Sequence, residues 1–135
     1  MYLLDTCVIS ELVKLRPSSK VIQWTSSRSE SDLFMSALTV GEIEGGIAAL
    51  MAGPKKDALI AWVRRTLPER FSDRVLPIDL AVAAAWGEFQ GRNKQTLPIV
   101  DGLIAATARV HGLTVVTRNV TDFRRFDVPI FDPWK

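Results

Sequence analysis

Apolar and polar positions follow two different spacings along this chain. Short runs of consecutive apolar residues that stop abruptly at polar ones are typical of buried strands. Longer segments with apolar residues three and four positions apart are typical of helices with one buried face. The predicted strands are Tyr2–Leu4, Leu33–Met35, Val75–Ile78, Thr114–Thr117 and Pro129–Phe131. Because Pro77 cannot donate to a neighbouring strand, we expect the third of these at the edge of a sheet.

The helices predicted between these strands have recognisable ends. Thr6 is expected to cap the first helix and Asp79 to cap a later, alanine-rich one, while Pro98 should lie in the first turn of the last. The predicted helices run from Thr6 to about Lys14, across Val21–Trp24, and over Val40–Ala52, Lys55–Leu67, Leu80–Asn93 and Leu97–His111.

Strands separated by helices imply parallel pairing with right-handed crossovers. The sequence therefore predicts an α/β fold of three layers, with a mostly parallel central sheet flanked by helices. A chain of 135 residues without an internal repeat or linker suits one domain, and we expect residues 1–135 to form it.

Composition excludes several classes of protein. With 47% hydrophobic and 24% charged residues, the chain is typical of globular rather than disordered proteins. The longest apolar run, Leu80–Trp86, is too short to span a membrane, and Asp5 interrupts any secretory signal. Cys7 is the only cysteine, so the fold needs no oxidising compartment, and we expect a cytoplasmic protein without a membrane association. The net charge of +2 does not by itself indicate a nucleic-acid partner.

Four acidic residues occupy positions where parallel sheets bind their ligands. Asp5 directly follows the first strand, and Asp122 lies in the polar stretch after the fourth. Glu42 and Asp101 lie near predicted helix starts, on the side where the strands end. Gathered carboxylates repel one another, and a hard divalent ion such as Mg²⁺ or Mn²⁺ relieves that repulsion. Such an ion suits phosphodiester hydrolysis, since it activates a water molecule and stabilises charge on the phosphate.

Three of these acids also have a purely structural interpretation. Thr39 and Glu42 have the spacing of a capping box. Asp101 can complement a helix dipole, and Asp122 lies in a polar turn. Asp5 stands apart, because a charge directly after an apolar strand is costly unless something pairs with it.

Four segments of the chain resemble a known family when they are taken together and in order. They are Met1–Glu11 (MYLLDTCVISE), Ser36–Gly46 (SALTVGEIEGG), Leu97–Ala108 (LPIVDGLIAATA) and Thr117–Phe123 (TRNVTDF). The chain resembles PIN-domain ribonucleases, most closely the VapC-type toxins of type II bacterial toxin–antitoxin pairs, in their FitB-like branch. The resemblance spans nearly the whole chain.

The resemblance implies both a chemistry and a set of residue roles. The activity it implies is endonucleolytic cleavage of RNA by metal-activated water, with Mg²⁺ as the cofactor and Mn²⁺ able to substitute. The residues it assigns as catalytic and as metal ligands are Asp5, Glu42, Asp101 and Asp122. The positions it assigns to supporting, second-shell roles are Thr6, Thr117 and Asn119. Three basic residues flank Asp122 and are our candidates for contacting the RNA backbone: Arg118, Arg124 and Arg125.

The resemblance also implies partners. A VapB-like antitoxin should hold the enzyme inactive, the chain should form a homodimer, and toxin and antitoxin should assemble further on operator DNA. Relatives use the helices that carry Trp24 and Trp62 for contacts between copies or with the antitoxin.

Two positions depart from the family pattern or complicate it. Cys7 stands where many relatives have Ser or Asn, and in an apolar segment it is expected to be a small core residue. Glu44 is a second acid near Glu42, but on a helix the two lie about 200° apart, so they cannot share one pocket. The family's spacing selects Glu42.

Two other functions fit part of the sequence. A phosphotransferase of the haloacid-dehalogenase type also begins with an aspartate after its first strand, but it requires a second aspartate where this chain has Cys7. In a non-catalytic binding module, the acids would hold a structural ion and the surface would recognise a protein.

Overall fold

Five short parallel strands form the centre of the molecule. In the computed structural model, which describes residues 1–135, the strands are β1 (Tyr2–Leu4), β2 (Leu33–Ser36), β3 (Val75–Leu76), β4 (Thr114–Val116) and β5 (Ile130–Phe131). Their order across the sheet is β3-β2-β1-β4-β5, and all four pairings are parallel. The α/β prediction is confirmed. The edge position predicted for the third strand is also confirmed, although the strand ends just before Pro77.

Eight α-helices connect and cover the strands. They are α1 (Thr6–Leu12), α2 (Ser19–Ser27), α3 (Ala37–Ala48), α4 (Pro54–Ala61), α5 (Leu67–Phe71), α6 (Leu80–Arg92), α7 (Ile99–His111) and α8 (Val120–Phe123). None of them is long and apolar enough to cross a lipid bilayer.

The core is divided by the sheet into two apolar layers. Successive residues of a strand point to opposite faces, so Leu3 and Val115 pack with α6 and α7, while Leu4 and Val116 pack on the other face with α1 and α3. All four side chains are fully buried. The two layers fix the central strands, and therefore also fix the loops that leave their carboxyl ends.

One predicted helix cap and one predicted helix start are wrong, for the same physical reason. Asp5, not Thr6, caps α1, because its carboxylate accepts the backbone N–H of Thr6 at 2.8 Å. Ser36 caps α3 by accepting the N–H of Leu38 at 3.1 Å, so the helix begins three residues before the predicted Val40. In both cases the last residue before the helix already supplies the cap.

The early start of α3 changes the interpretation of Glu42. Thr39 and Glu42 lie inside the helix and not at its beginning, so the capping-box alternative is wrong. Thr39 is instead fully buried beneath the first helix.

The remaining differences lie at other element ends. The helix predicted over 55–67 continues as α4, a π-helical turn (Trp62–Thr66) and α5, which buries Phe71. Pro98 precedes α7 as its cap residue and does not lie in its first turn. Asp122 lies in the short helix α8 and not in an irregular turn.

Candidate active site

Asp5 is a buried carboxylate at the carboxyl end of the central strand β1. Its side chain is only 5% exposed. One oxygen, Oδ1, caps α1, and the other, Oδ2, accepts a hydrogen bond of 2.8 Å from the hydroxyl of Thr117. Burial raises the pKa of Asp5 above its ordinary value, and these hydrogen bonds oppose the rise. The groups that donate hydrogen bonds to Asp5 are therefore all neutral, while burial makes ionisation of this carboxylate unfavourable.

The loop after β4 is tied to Asp5 through Thr117. The buried hydroxyl of Thr117 donates to Asp5 and accepts the backbone N–H of Asn119 at 3.0 Å. Asn119 therefore contributes to this network through its main chain, and its side chain makes no hydrogen bond here. Thr117 thus fixes both the carboxylate and the direction in which the loop leaves the sheet.

Cys7 packs against the core layer that contains Leu4 and Val8, as predicted, and its sulfur also lies at this network. Its sulfur is 3.7 Å from Oδ2 of Asp5 and 3.5 Å from Oγ1 of Thr117, and it accepts the backbone N–H of Arg118 at 3.5 Å. The side chain is half-buried, and burial together with the charge of Asp5 raises the pKa of the Cys7 thiol. The neutral thiol packs beside the carboxylate and adds no second negative charge. The sequence could not show this contact, because Thr117 and Arg118 lie far along the chain.

Glu42 is held from the first turn of α1. The Thr6 hydroxyl donates a short hydrogen bond of 2.6 Å to Oε1 of Glu42 and lies 3.1 Å from the hydroxyl of Thr39. Glu44 points elsewhere and forms an ion pair of 3.2 Å with Arg64. The helical geometry that separated the two glutamates in the sequence is confirmed. Thr39 was missed as a supporting residue, although its place one turn before Glu42 was a usable signal.

Asp101 shows that the four acids share one region. It lies half-buried in the first turn of α7. Burial, followed by the charges of Asp5, Asp122 and Glu42, raises its pKa to about 6. Asp122 itself is exposed on α8. The negative charges of Asp5, Asp122 and Glu42 therefore all act on Asp101, although they come from elements far apart in the sequence. This is expected where helices begin at the carboxyl edge of a sheet.

A close contact between α6 and α7 sets the position of Asp101. A β-carbon added to the adjacent Gly102 would lie 3.1 Å from Cδ1 and 3.3 Å from Nε1 of Trp86, and 3.4 Å from Phe126. A larger residue at this position would require the indole or α7 to shift by a few tenths of an ångström. No local pattern in the sequence indicates this contact, because it depends on how two helices cross.

The donor set fits a hard divalent cation. All four acidic side chains offer oxygen, and their mutual repulsion at Asp101 is the electrostatic condition that such an ion relieves. As the side chains stand, no three His, Cys, Asp or Glu groups enclose an ion-sized space. Mg²⁺ does not require a closed cage, because it is usually held by one or two carboxylates and keeps several of its water molecules.

Basic side chains lie beside the acids. Arg118, Arg124 and Arg125 are all exposed, and none has a carboxylate within ion-pair distance. The guanidinium of Arg118 lies over the ring of Trp134, at 5.2 Å from its centroid. These three positive charges are therefore free to contact a polyanion near Asp122.

An apolar cleft opens directly onto the acidic region. It has a volume of about 300 Å³ and runs between α1, α3 and α4, from Thr6 and Glu42 at one end. Its apolar walls are formed by Ile43, Ile47, Leu50, Leu59 and Trp62. A second apolar cleft of about 780 Å³ lies nearby, with Val13, Leu15, Ala58 and Leu59 among its lining residues. Leu15 is fully exposed. Apolar surface of this kind is typical of protein-binding sites.

Comparison with known proteins finds related sequences and folds over the full length of the chain. The family model for the PIN domain matches residues 2–129. The chain is 39% identical to Toxin FitB of Neisseria gonorrhoeae over 99% of both chains. It is 34% identical to VapC ribonuclease Y4jK of Sinorhizobium fredii, over 100% of this chain and 99% of the relative. The structure of FitAB bound to the IR36 DNA fragment contains a chain with 38% identity and a TM-score of 0.91, and the match covers 100% of this chain and 96% of that one.

Proposed function

Because this chain belongs to the PIN domain family, we propose that it is a divalent-metal-dependent endoribonuclease and the toxin of a type II toxin–antitoxin pair. Residues 1–135 would act as one nuclease domain in the cytoplasm. The observation that carries the proposal is geometric: Thr6 donates hydrogen bonds of 2.8 Å to Asp5 and 2.6 Å to Glu42, at the edge of the sheet where parallel folds bind ligands. A relative named as a ribonuclease makes RNA the expected substrate.

The residues that would hold one or two Mg²⁺ ions are Asp5, Asp101 and Asp122, with Glu42 as a further ligand directly or through water. Mn²⁺ offers similar oxygen coordination and should substitute. When bound, the metal supplies a Lewis acid that lowers the pKa of water and stabilises negative charge on the phosphate.

The chain's own residues orient this chemistry. Thr117 and the N–H of Thr6 fix both oxygens of Asp5, so the carboxylate keeps one orientation. Thr6 engages Oε1 of Glu42 and leaves Oε2 free to accept a proton from the attacking water. Arg118, Arg124 and Arg125 would neutralise phosphates on either side of the scissile bond.

Partners follow from the same comparison. We propose that a VapB-like antitoxin inserts an apolar segment into the cleft lined by Ile43, Ile47 and Trp62, and so reaches Thr6 and Glu42. A relative of this fold was solved as a toxin–antitoxin complex on DNA, and this chain should likewise form a homodimer that assembles with its antitoxin on operator DNA.

The decisive experiment is cleavage of total cellular RNA by purified, antitoxin-free protein. We expect defined cleavage sites with Mg²⁺ or Mn²⁺, none in EDTA, and none with Asp5→Asn. Wild-type cleavage rates for Asp5→Asn would refute the proposed site. A trapped aspartyl-phosphate on Asp5 would favour the phosphotransferase alternative. Equal toxicity of the wild type and a variant lacking all four acids would favour the binding module.

A further inference from the structure

A third cleft, distinct from the two apolar ones, lies between α2 and the segment that follows β5. Its volume is about 420 Å³. One face of α2 contributes Lys20, Trp24 and Ser27, and the opposite wall includes Phe131 and Lys135. We name this the α2–β5 cleft.

The floor of the α2–β5 cleft is aromatic. The rings of Trp24 and Phe131 are stacked, with centroids 5.2 Å apart and planes at 29°. Tyr2 supports Trp24 edge-on at 5.0 Å, so the indole is held in place from below. Phe131 is nevertheless 39% exposed. A partly exposed, rigid aromatic pair offers a flat surface on which another planar ring can stack.

The charged side chains that line this cleft are all positive. Lys20 and Lys135 line the cleft, and the guanidinium of Arg28 lies 5.5 Å from the ring of Trp24. None of the three has a carboxylate within ion-pair distance, and no acidic side chain lines the cleft. Asp132, which lies between Phe131 and Pro133 but does not line the cleft, accepts the backbone N–H of Trp134 at 2.9 Å.

One wall of the cleft is joined to the candidate active site by backbone pairing in the sheet. The carbonyl of Phe131 accepts the backbone N–H of Thr117 at 2.9 Å, and Thr117 holds Asp5. Trp134, between the lining residues Pro133 and Lys135, lies beneath the guanidinium of Arg118. A polyanion that contacts Arg118 is therefore close to this end of the cleft.

We propose that the α2–β5 cleft binds single-stranded RNA adjacent to the scissile phosphate, an inference that rests on the proposed ribonuclease function. One base stacks on the Trp24–Phe131 pair, and Lys20 and Arg28 neutralise neighbouring phosphates. Stacking surfaces combined with unpaired cations are the pattern by which proteins hold single strands without reading their sequence. A protein partner is better suited to the clefts around Ile47 and Leu15, whose walls are mainly aliphatic and contain no stacked aromatic pair.

The test is binding of a fluorescein-labelled U12 oligonucleotide, which is unstructured, measured by anisotropy in EDTA so that no cleavage occurs. Lys20→Gln should weaken binding roughly two- to fivefold and reduce the slope of log affinity against log salt by about 0.7, the value for one lost phosphate contact on a single strand. The matched control is Arg109→Gln, which removes the same charge from the far end of α7. The control should alter neither quantity, and a melting curve should show that both variants are folded.

Tryptophan fluorescence measures the stacking of a base on Trp24 separately from the binding affinity. U12 should quench the wild-type protein, and Trp24→Phe should remove more of that quenching than Trp62→Phe. Equal effects of Lys20→Gln and Arg109→Gln, or no U12 binding by the wild type, would overturn the cleft assignment. Loss of binding to a co-expressed antitoxin in Lys20→Gln, with U12 affinity unchanged, would assign the cleft to a protein and also overturn it. Wild-type protein that binds U12 in this cleft but cleaves no RNA in Mg²⁺ would refute the proposed function alone.

Discussion

The hydroxyl of Thr117 donates a 2.8 Å hydrogen bond to Oδ2 of Asp5, and so joins the carboxyl ends of two neighbouring strands, β4 and β1. Both side chains are buried, and Asp5 has no basic partner. A buried carboxylate held only by neutral donors remains costly to ionise. A divalent cation bound as proposed above would offset this cost.

Thr117→Val should impair both the fold and the site. It removes the donor to Asp5 and the acceptor for the Asn119 N–H, so we expect a loss of about 1–3 kcal/mol in unfolding free energy. RNA cleavage should fall about 10–100-fold, as is typical when a group orienting a metal ligand is lost. Thr117→Ser keeps the hydroxyl and should retain most activity. Equal cleavage rates for the valine and serine variants would show that the hydrogen bond does not matter.

Asp5→Asn should separate stability from activity. Burial penalises the charged carboxylate, so in EDTA at pH 7 the neutral amide should leave the melting temperature unchanged or raise it. Cleavage should drop by at least about 100-fold, since even outer-shell partners of a metal are worth about 10–100-fold. Asp73→Asn, at an exposed acid in the turn after α5, is the control and should change neither property. A strongly destabilised Asp5→Asn would mean that the carboxylate is needed for folding.

Stability without metal should fall as the pH rises through the acidic range. The pKa of Asp101 is raised from 3.8 to about 6, so the folded state holds this proton more tightly than the unfolded state does. Its contribution to stability is therefore full below about pH 4 and lost by about pH 6. Burial raises the pKa of Asp5 and acts in the same direction.

Thermal melting in EDTA between pH 4.5 and 6.5 tests this dependence. Asp101→Asn should flatten the curve, and added Mg²⁺ should stabilise the wild type more at pH 7 than at pH 5, because the ion competes with the proton. A curve that rises with pH equally in wild type and Asp101→Asn would contradict the electrostatic account.

The two glutamates of α3 should differ sharply in function. Glu42→Gln keeps the hydrogen bond from Thr6 but removes the charge, and cleavage should fall by about 100-fold or more if Glu42 accepts a proton. Glu44→Gln only weakens an exposed ion pair with Arg64 and should cleave RNA at the wild-type rate. Initial cleavage rates at saturating Mg²⁺ distinguish the pair. A larger loss of cleavage in Glu44→Gln than in Glu42→Gln would show that the family spacing selected the wrong acid.

Gly102→Ala should disturb Asp101 through packing alone. The new methyl group would lie 3.1 Å from the Trp86 ring, so the indole or α7 must shift by a few tenths of an ångström. This strain opposes the helix preference for alanine, so Gly102→Ala should be less stable than the matched variant Gly87→Ala, by about 1–3 kcal/mol. Activity should fall because the adjacent Asp101 is displaced. Gly87→Ala meets nothing within 4 Å on α6 and should be neutral or stabilising by up to about 1 kcal/mol. If both variants melt and cleave alike, the Trp86 contact does not position the acid.

Local patterns in the sequence were enough to predict the layers of the fold. The apolar run Tyr2–Leu4 ends at Asp5, and this change of polarity marks both the strand and the start of its loop. The helix cap predicted at Thr6 and the helix start predicted at Val40 were wrong, because Asp5 and Ser36, at the boundary between strand and helix, already cap the helices. A periodic pattern indicates which face of a helix is buried. It does not indicate which polar side chain at the helix boundary accepts a backbone N–H and caps the helix.

The sequence by itself determined the alternation of strands and helices, the parallel character of the sheet, and four acids at the ends of its elements. Those features depend on spacing and on backbone rules that act over a few residues. Tertiary structure alone decided that Cys7 lies against Asp5 and Thr117, that Trp86 packs onto Gly102, and that Trp24 stacks on Phe131. These contacts join segments that are distant along the chain. They depend on strand order and on how the helices cross, which local periodicity does not encode.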